Sequence, residues 1–169
     1  MSDTGVEIST PRPKPESAQL VLNGLLFVVT LAVVIIGVRA HVTEGITAVN
    51  GVAFGLTLVW AVAGVVAARY SDRTSTPADL QALLIGADAL LAAIALTFGR
   101  LAQGESVHSY GAARSIATVT ALLVTAVSFH FLLALPNGQL PGTGRRTAVI
   151  VVYAAALGIG LSYVIEKDT

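Results

Sequence analysis

"LQALLIGADALLAAIALTF", residues 80–98, is nineteen residues long and carries a single charge, Asp88. A helix rises about 1.5 Å per residue, so the stretch covers about 28 Å, close to the ~30 Å of a bilayer's hydrocarbon core. A helix apolar on all its faces belongs in lipid or in the core of a large protein. The rest of the chain decides between the two. Of its 169 residues, 54% are hydrophobic and 12% are charged, where soluble domains average about 25% charged. A soluble chain this short could not bury so much apolar surface. Residues 80–98 therefore predict a membrane span.

Four further stretches have the same character: Leu20–Val38, Ile46–Ala68, Ser115–Leu135 and Ala148–Ile165. Each is bounded by charged or turn-forming residues. The expected fold is an all-α integral membrane protein, a bundle of about five transmembrane helices over residues 20–165. Residues 1–19, with prolines at 11, 13 and 15, read as a disordered cytoplasmic tail, and residues 166–169 as a short polar end. The basic flank of the first span and the small residues around Arg39 could suit a cleaved signal peptide. Its apolar run of 19 residues exceeds the usual ~7–15, so an uncleaved helix is expected. No internal repeat is apparent.

Ten basic and ten acidic residues give a net charge of zero, and nothing suggests nucleic acid as a partner. The chain has no cysteine, which removes disulfides, thiolate metal sites and cysteine nucleophiles together. GxGxxG, a Walker loop, a nucleophile elbow and HExxH are all lacking, so no catalytic residue and no cofactor is predicted.

Basic residues set the expected orientation. With the N-terminus inside, the cytoplasmic side holds Arg12, Lys14, Arg69, Arg73, Arg145 and Arg146, against Arg39, Arg100, Arg114 and Lys167 outside. The majority predicts a multi-pass plasma-membrane protein with a cytoplasmic N-terminus. Tyr70 and Tyr153 then fall near the inner interface and Tyr163 near the outer, as aromatic anchors. Arg69–Asp79 reads as an inner loop in which Thr76-Pro77 starts the third helix. Gly99–Arg114 reads as the longest outer segment, and no external segment is large enough to fold separately.

Asp88 is the one carboxylate in the middle of a span. A carboxylate at the centre of a membrane helix costs roughly 2.5–3.5 kcal/mol on insertion scales, so such a residue usually has a purpose. Asp88 is a candidate proton or ligand sensor, and His130 in span four is its candidate partner. Counted from the inner helix ends, Asp88 lies ~13 Å deep and His130 ~9 Å. The alternative is a protonated Asp88 bonded to a neighbouring helix, with His130 near the headgroups. His41, Glu44, Glu105 and His108 could form at most a weak outer metal site, and no zinc spacing is present, so no metal is expected.

Small residues mark candidate packing faces. Gly51 and Gly55 give GVAFG in span two, and Ala154 with Gly158, and Ala156 with Gly160, repeat the small-xxx-small spacing in span five. These faces fit either packing within the chain or a homodimer. Thr118, Thr125 and Ser128 fall within roughly an 80° wedge of span four and suggest a buried polar stripe. Trp60, mid-span in helix two, is expected to pack against a neighbour.

Residues 128–146, SFHFLLALPNGQLPGTGRR, leave the membrane as a turn. Pro136 stops the helix and Asn137-Gly138 favours a turn. Pro141, Gly142 and Gly144 are expected to keep a helix from resuming before Arg145. Arg145 and Arg146 would anchor the turn to the anionic inner leaflet, at about 1 kcal/mol each. The run from His130 through Leu132-Leu133-Ala134-Leu135-Pro136, Gly138 and Leu140 to Arg145-Arg146 resembles a segment near the N-terminus of multi-spanning sensor histidine kinases from high-GC Gram-positive (actinobacterial) bacteria. The resemblance covers about twenty residues. It implies a transmembrane input module whose kinase core, and through it a response regulator, belongs to a longer parent. The sequence stops at Thr169 without a phosphoacceptor helix or an ATP-binding domain, which reads as a truncation before any catalytic core. The alternative function is a stand-alone small multi-pass protein, such as a transporter or channel accessory subunit. A membrane-embedded enzyme is a third reading and the weakest.

Overall fold

The computed structural model describes residues 15–40, 48–71, 77–104, 107–135 and 139–165. Five helices follow one another: α1 (Pro15–Arg39), α2 (Ala48–Ser71), α3 (Pro77–Gly104), α4 (Val107–Ala134) and α5 (Thr143–Ile165). All five contain a stretch long and apolar enough to cross a membrane, and the described residues include no strand. Helices suit lipid because every backbone N–H and C=O is satisfied within its own segment.

The helices run longer than the spans expected of them. α1 begins at Pro15, so residues 15–19 belong to the first helix, with proline at the first helical position, where its missing N–H costs nothing. Residues 1–14 of the expected tail, and the polar end 166–169, lie outside the described residues. Most of the segment expected as the long outer loop is helical: α3 continues to Gly104 and α4 starts at Val107. Alanine, glutamine and arginine are good helix formers, so a helix need not stop where the hydrocarbon does. α5 starts at Thr143, ahead of Arg145. Gly142 takes a left-handed backbone (φ 85°), and the helix resumes immediately after it.

Side-chain contacts fix the register. α1 runs parallel to α3, because Asn23 lies against Gly86 and Gly37 against Thr97. α2 is antiparallel to α3, with Gly64 on Gly86 and Phe54 under Arg100. α4 is antiparallel to α3 and α5 to α4, through Gly99 on Ala117 and Gly160 on Val119. α3 is thus central, touching α1, α2 and α4, while α5 touches α4 alone among the described residues. The cause is a stripe of small residues on α3: Ala82, Gly86, Ala89 and Ala93 all lie in the interior. At this spacing they form one helix face, and without a hydrophobic effect in lipid, close backbone approach is what holds helices together. Val34, Phe54 and Ala93 make the apolar core where α1, α2 and α3 meet.

Candidate functional site

Asp88 stands one residue from the α3 stripe, half-buried, where α2, α3 and α4 converge. Trp60 of α2 donates its indole N–H to Oδ2 at 3.1 Å. Ser128 of α4 donates its hydroxyl across Oδ1 and Oδ2, 3.2 Å from each. One carboxylate therefore ties three helices together. The indole of Trp60 also meets Phe131 of α4 edge-on, with ring centroids 6.1 Å apart. This aromatic pair joins α2 to α4 beside the carboxylate and covers part of it. A carboxylate accepts through both oxygens, so protonation would turn one of them into a donor and weaken the bonds it accepts from Trp60 and Ser128.

His130 is not part of this cluster. Its ring stands edge-on to Tyr153 of α5, centroids 6.0 Å apart, and its buried Nε2 has no hydrogen-bond partner among the described residues. The reason is rotational: two residues along a helix turn the side chain by about 200°, so Ser128 and His130 face opposite ways. Ser128 takes the place expected of His130, and Trp60 makes the predicted neighbour contact as a hydrogen-bond donor as well. Tyr153, expected as an interfacial anchor, is an interhelical contact, whereas Tyr70 and Tyr163 are exposed.

The polar stripe expected on α4 is divided in the same way. Thr118 and Thr125 bond back to the carbonyls of Arg114 and Ala121 and line a lateral groove of about 710 Å³ between α3 and α4. Thr125 is exposed rather than buried, and only Ser128 reaches another polar side chain. The packing pairs also shift. Gly51 and Gly55 are exposed, with open space where a Cβ would stand at Gly55, and Ala154 and Gly158 likewise face away from α4. Within the chain it is Gly64 against Gly86, and Ala156 with Gly160, that pack. The alanine-based pairs of α3 carry the same spacing as GVAFG, but in an Ala-rich span they do not stand out.

The turn after α4 has its own geometry. Pro136, Asn137 and Gly138 lie outside the described residues. Arg145 is exposed and reaches back to the Leu133 carbonyl (3.2 Å), and Arg146 donates to the Leu140 carbonyl (3.4 Å). Leu133 is in the last turn of α4, whose carbonyls have no partner within the helix. Arg145 thus caps α4 from the first turn of α5. The described residues contain no group of three or more potential metal ligands, while His41, Glu44 and Glu105, with the side chain of His108, lie outside them.

Length, composition and helix packing together define a multi-pass α-helical membrane protein with a half-buried carboxylate hub shared by three helices. No family model, curated protein or solved structure matches the chain.

Proposed function

We propose that this chain is the transmembrane input module of a signalling protein, and that Asp88 is its sensing group. The observation that carries the reading is one carboxylate shared by donors from α2 and α4. A proton or a cation arriving at Asp88 changes the bonds to both helices at once, so a local event becomes a movement of helices. The five helices are unbroken, which suits a switch better than a substrate pathway, since transporters typically build their sites from interrupted helices. Arg145 links α4 to α5 and so carries a displacement of Ser128 towards the next helix. The N-terminal side faces the cytoplasm on this reading. The resemblance of residues 130–146 to sensor histidine kinases makes a kinase core in a longer parent the output, and makes catalysis foreign to this chain. The partners are the bilayer and, through the open Gly51–Gly55 face, a second copy.

Trp60 is the one tryptophan, so its fluorescence reports on the hub alone. In phosphatidylcholine/phosphatidylglycerol vesicles scanned across pH, Trp60 emission should follow a single titration, because its indole donates to the one carboxylate of the hub. Asp88→Asn should abolish it while the helix content stays unchanged. An emission flat across the range, or one that titrates equally in Asp88→Asn, would refute the proton-sensing reading. Proton flux into dye-loaded vesicles, lost in Asp88→Asn, would assign Asp88 to a transport path and support the accessory-subunit reading instead.

A further inference from the structure

At the opposite end of α3 from its N-terminus, one charged side chain is turned inward. Arg100 is 3% exposed, and its guanidinium lies 5.7 Å from the centroid of the Phe54 ring on α2. Its Nε and Nη1 are buried and have no hydrogen-bond acceptor among the described residues. A guanidinium cannot shed its proton in a protein, and its N–H donors are costly to leave unmade. The ring beneath it offsets part of the charge but accepts nothing in the guanidinium plane. The one carboxylate whose side chain is described, Asp88, lies ~18 Å down the helix and is bonded to Trp60 and Ser128.

We propose that Arg100 is the core of an oxyanion site that takes a phosphate group at this end of the α1–α2–α3 cluster. Arg100 is one turn from Gly104, about 6 Å below the end of a helix about 42 Å long. If that helix is centred on a ~30 Å hydrocarbon core, the guanidinium falls where hydrocarbon gives way to headgroups. Phosphate is the abundant anion at that depth, and arginine is the side chain whose planar fork best matches it. Thr97 is level with Gly37, which brings the exposed Arg39, at the end of α1, to the same side and raises the local positive potential. Phe54 lies beneath the guanidinium, and a phosphate entering between the helix ends would supply the acceptors that its buried N–H groups lack. The site does not involve Asp88 and stands independently of the signalling reading.

The phosphate could belong to a lipid or be free in solution, and two arms separate these sources. The full chain is purified in dodecyl maltoside, which carries no phosphate. In one arm phosphatidylglycerol is added, and lipid retained on the protein is counted by native mass spectrometry. In the other, thermal unfolding is followed in inorganic phosphate and in chloride of equal ionic strength. A lipid site gives retention that falls about tenfold or more in Arg100→Gln, equivalent to losing one strong contact, with Arg100→Lys in between and Arg39→Gln close to the parent. A free-anion site gives a phosphate-specific rise in the unfolding midpoint with the same ranking. If the parent chain responds in neither arm, the proposal is wrong. That would be the outcome if Glu44 or Glu105 supplied the counter-charge. Retention equal in Arg100→Gln, or lost equally in Arg39→Gln, would also overturn it. The parent chain alone decides the first outcome, even if Arg100→Gln folds poorly.

Discussion

Gly64 and Gly86 meet where α2 crosses α3, and a side chain at Gly64 would press on the Gly86 backbone. A Cβ on Gly64 would lie 3.1 Å from the Gly86 nitrogen and 3.3 Å from its Cα, and backbone cannot swing aside. Gly64→Val should therefore push the helices apart and lower the thermal midpoint, at a cost of about 1–3 kcal/mol. Gly55→Val, where a Cβ meets nothing within 4 Å, should leave the midpoint unchanged in detergent. Equal midpoints for the two variants would show that α2 and α3 do not meet at Gly64. The sequence identifies which residues allow close approach, because size is a property of the residue. It does not identify which of them do approach, because that depends on how each helix is rotated. Asp88 shows the same division. Its place inside the bundle is legible from one charge in an apolar run, but its partner is decided by the rotation of α4. Ser128 and His130 are both polar and nearly level, and about 200° of helix separates them.

α5 is the least integrated helix, and its attachment is narrow. Its buried positions are Val149, Ala156 and Gly160, a single seam against α4, and a Cβ on Gly160 would lie 3.0 Å from Cγ2 of Val119. Gly160→Leu should loosen α5 and speed proteolysis in the α4–α5 turn several-fold, since cleavage tracks the open population. Gly158→Leu, facing open space, should not. Faster cleavage in both, or in neither, would remove this seam as the attachment. The existence of α5 is plain from its apolar run, but its first turn is not. Thr143 and Gly144 are poor helix formers taken singly, and the first turn they open is tied down by Arg145 and Arg146, which find carbonyls at Leu133 and Leu140. The same limit holds at α3 and α4, where helix extends past the hydrocarbon and hydropathy no longer marks the boundary.

Across the whole molecule the helices form an open row, α1 and α2 on α3, then α4, then α5, and the order leaves the ends of the bundle chemically unlike. One end carries Arg69, Arg145 and Arg146 close to helix termini, and the other carries the exposed Arg39 and Arg114 and the inward Arg100. Retention of basic residues on the cytoplasmic side acts most strongly on charges near helix ends. The pair in the α4–α5 turn should therefore dominate, since two adjacent exposed arginines sit at the first turn of α5 while Arg100 faces the interior of the bundle. Because the chain has no cysteine, introduced cysteines report their side without ambiguity. Ala40→Cys should react with a membrane-impermeant maleimide in intact cells, and Thr143→Cys only after permeabilisation. Adding Arg145→Glu and Arg146→Glu to Thr143→Cys removes both the favoured charge and the carbonyl caps. It should expose a measurable fraction of position 143 to the reagent outside. Labelling of Thr143→Cys in intact cells without these changes would invert the orientation. If the double glutamate variant stayed as protected as its parent, the arginines would be caps for α4 and not determinants of topology.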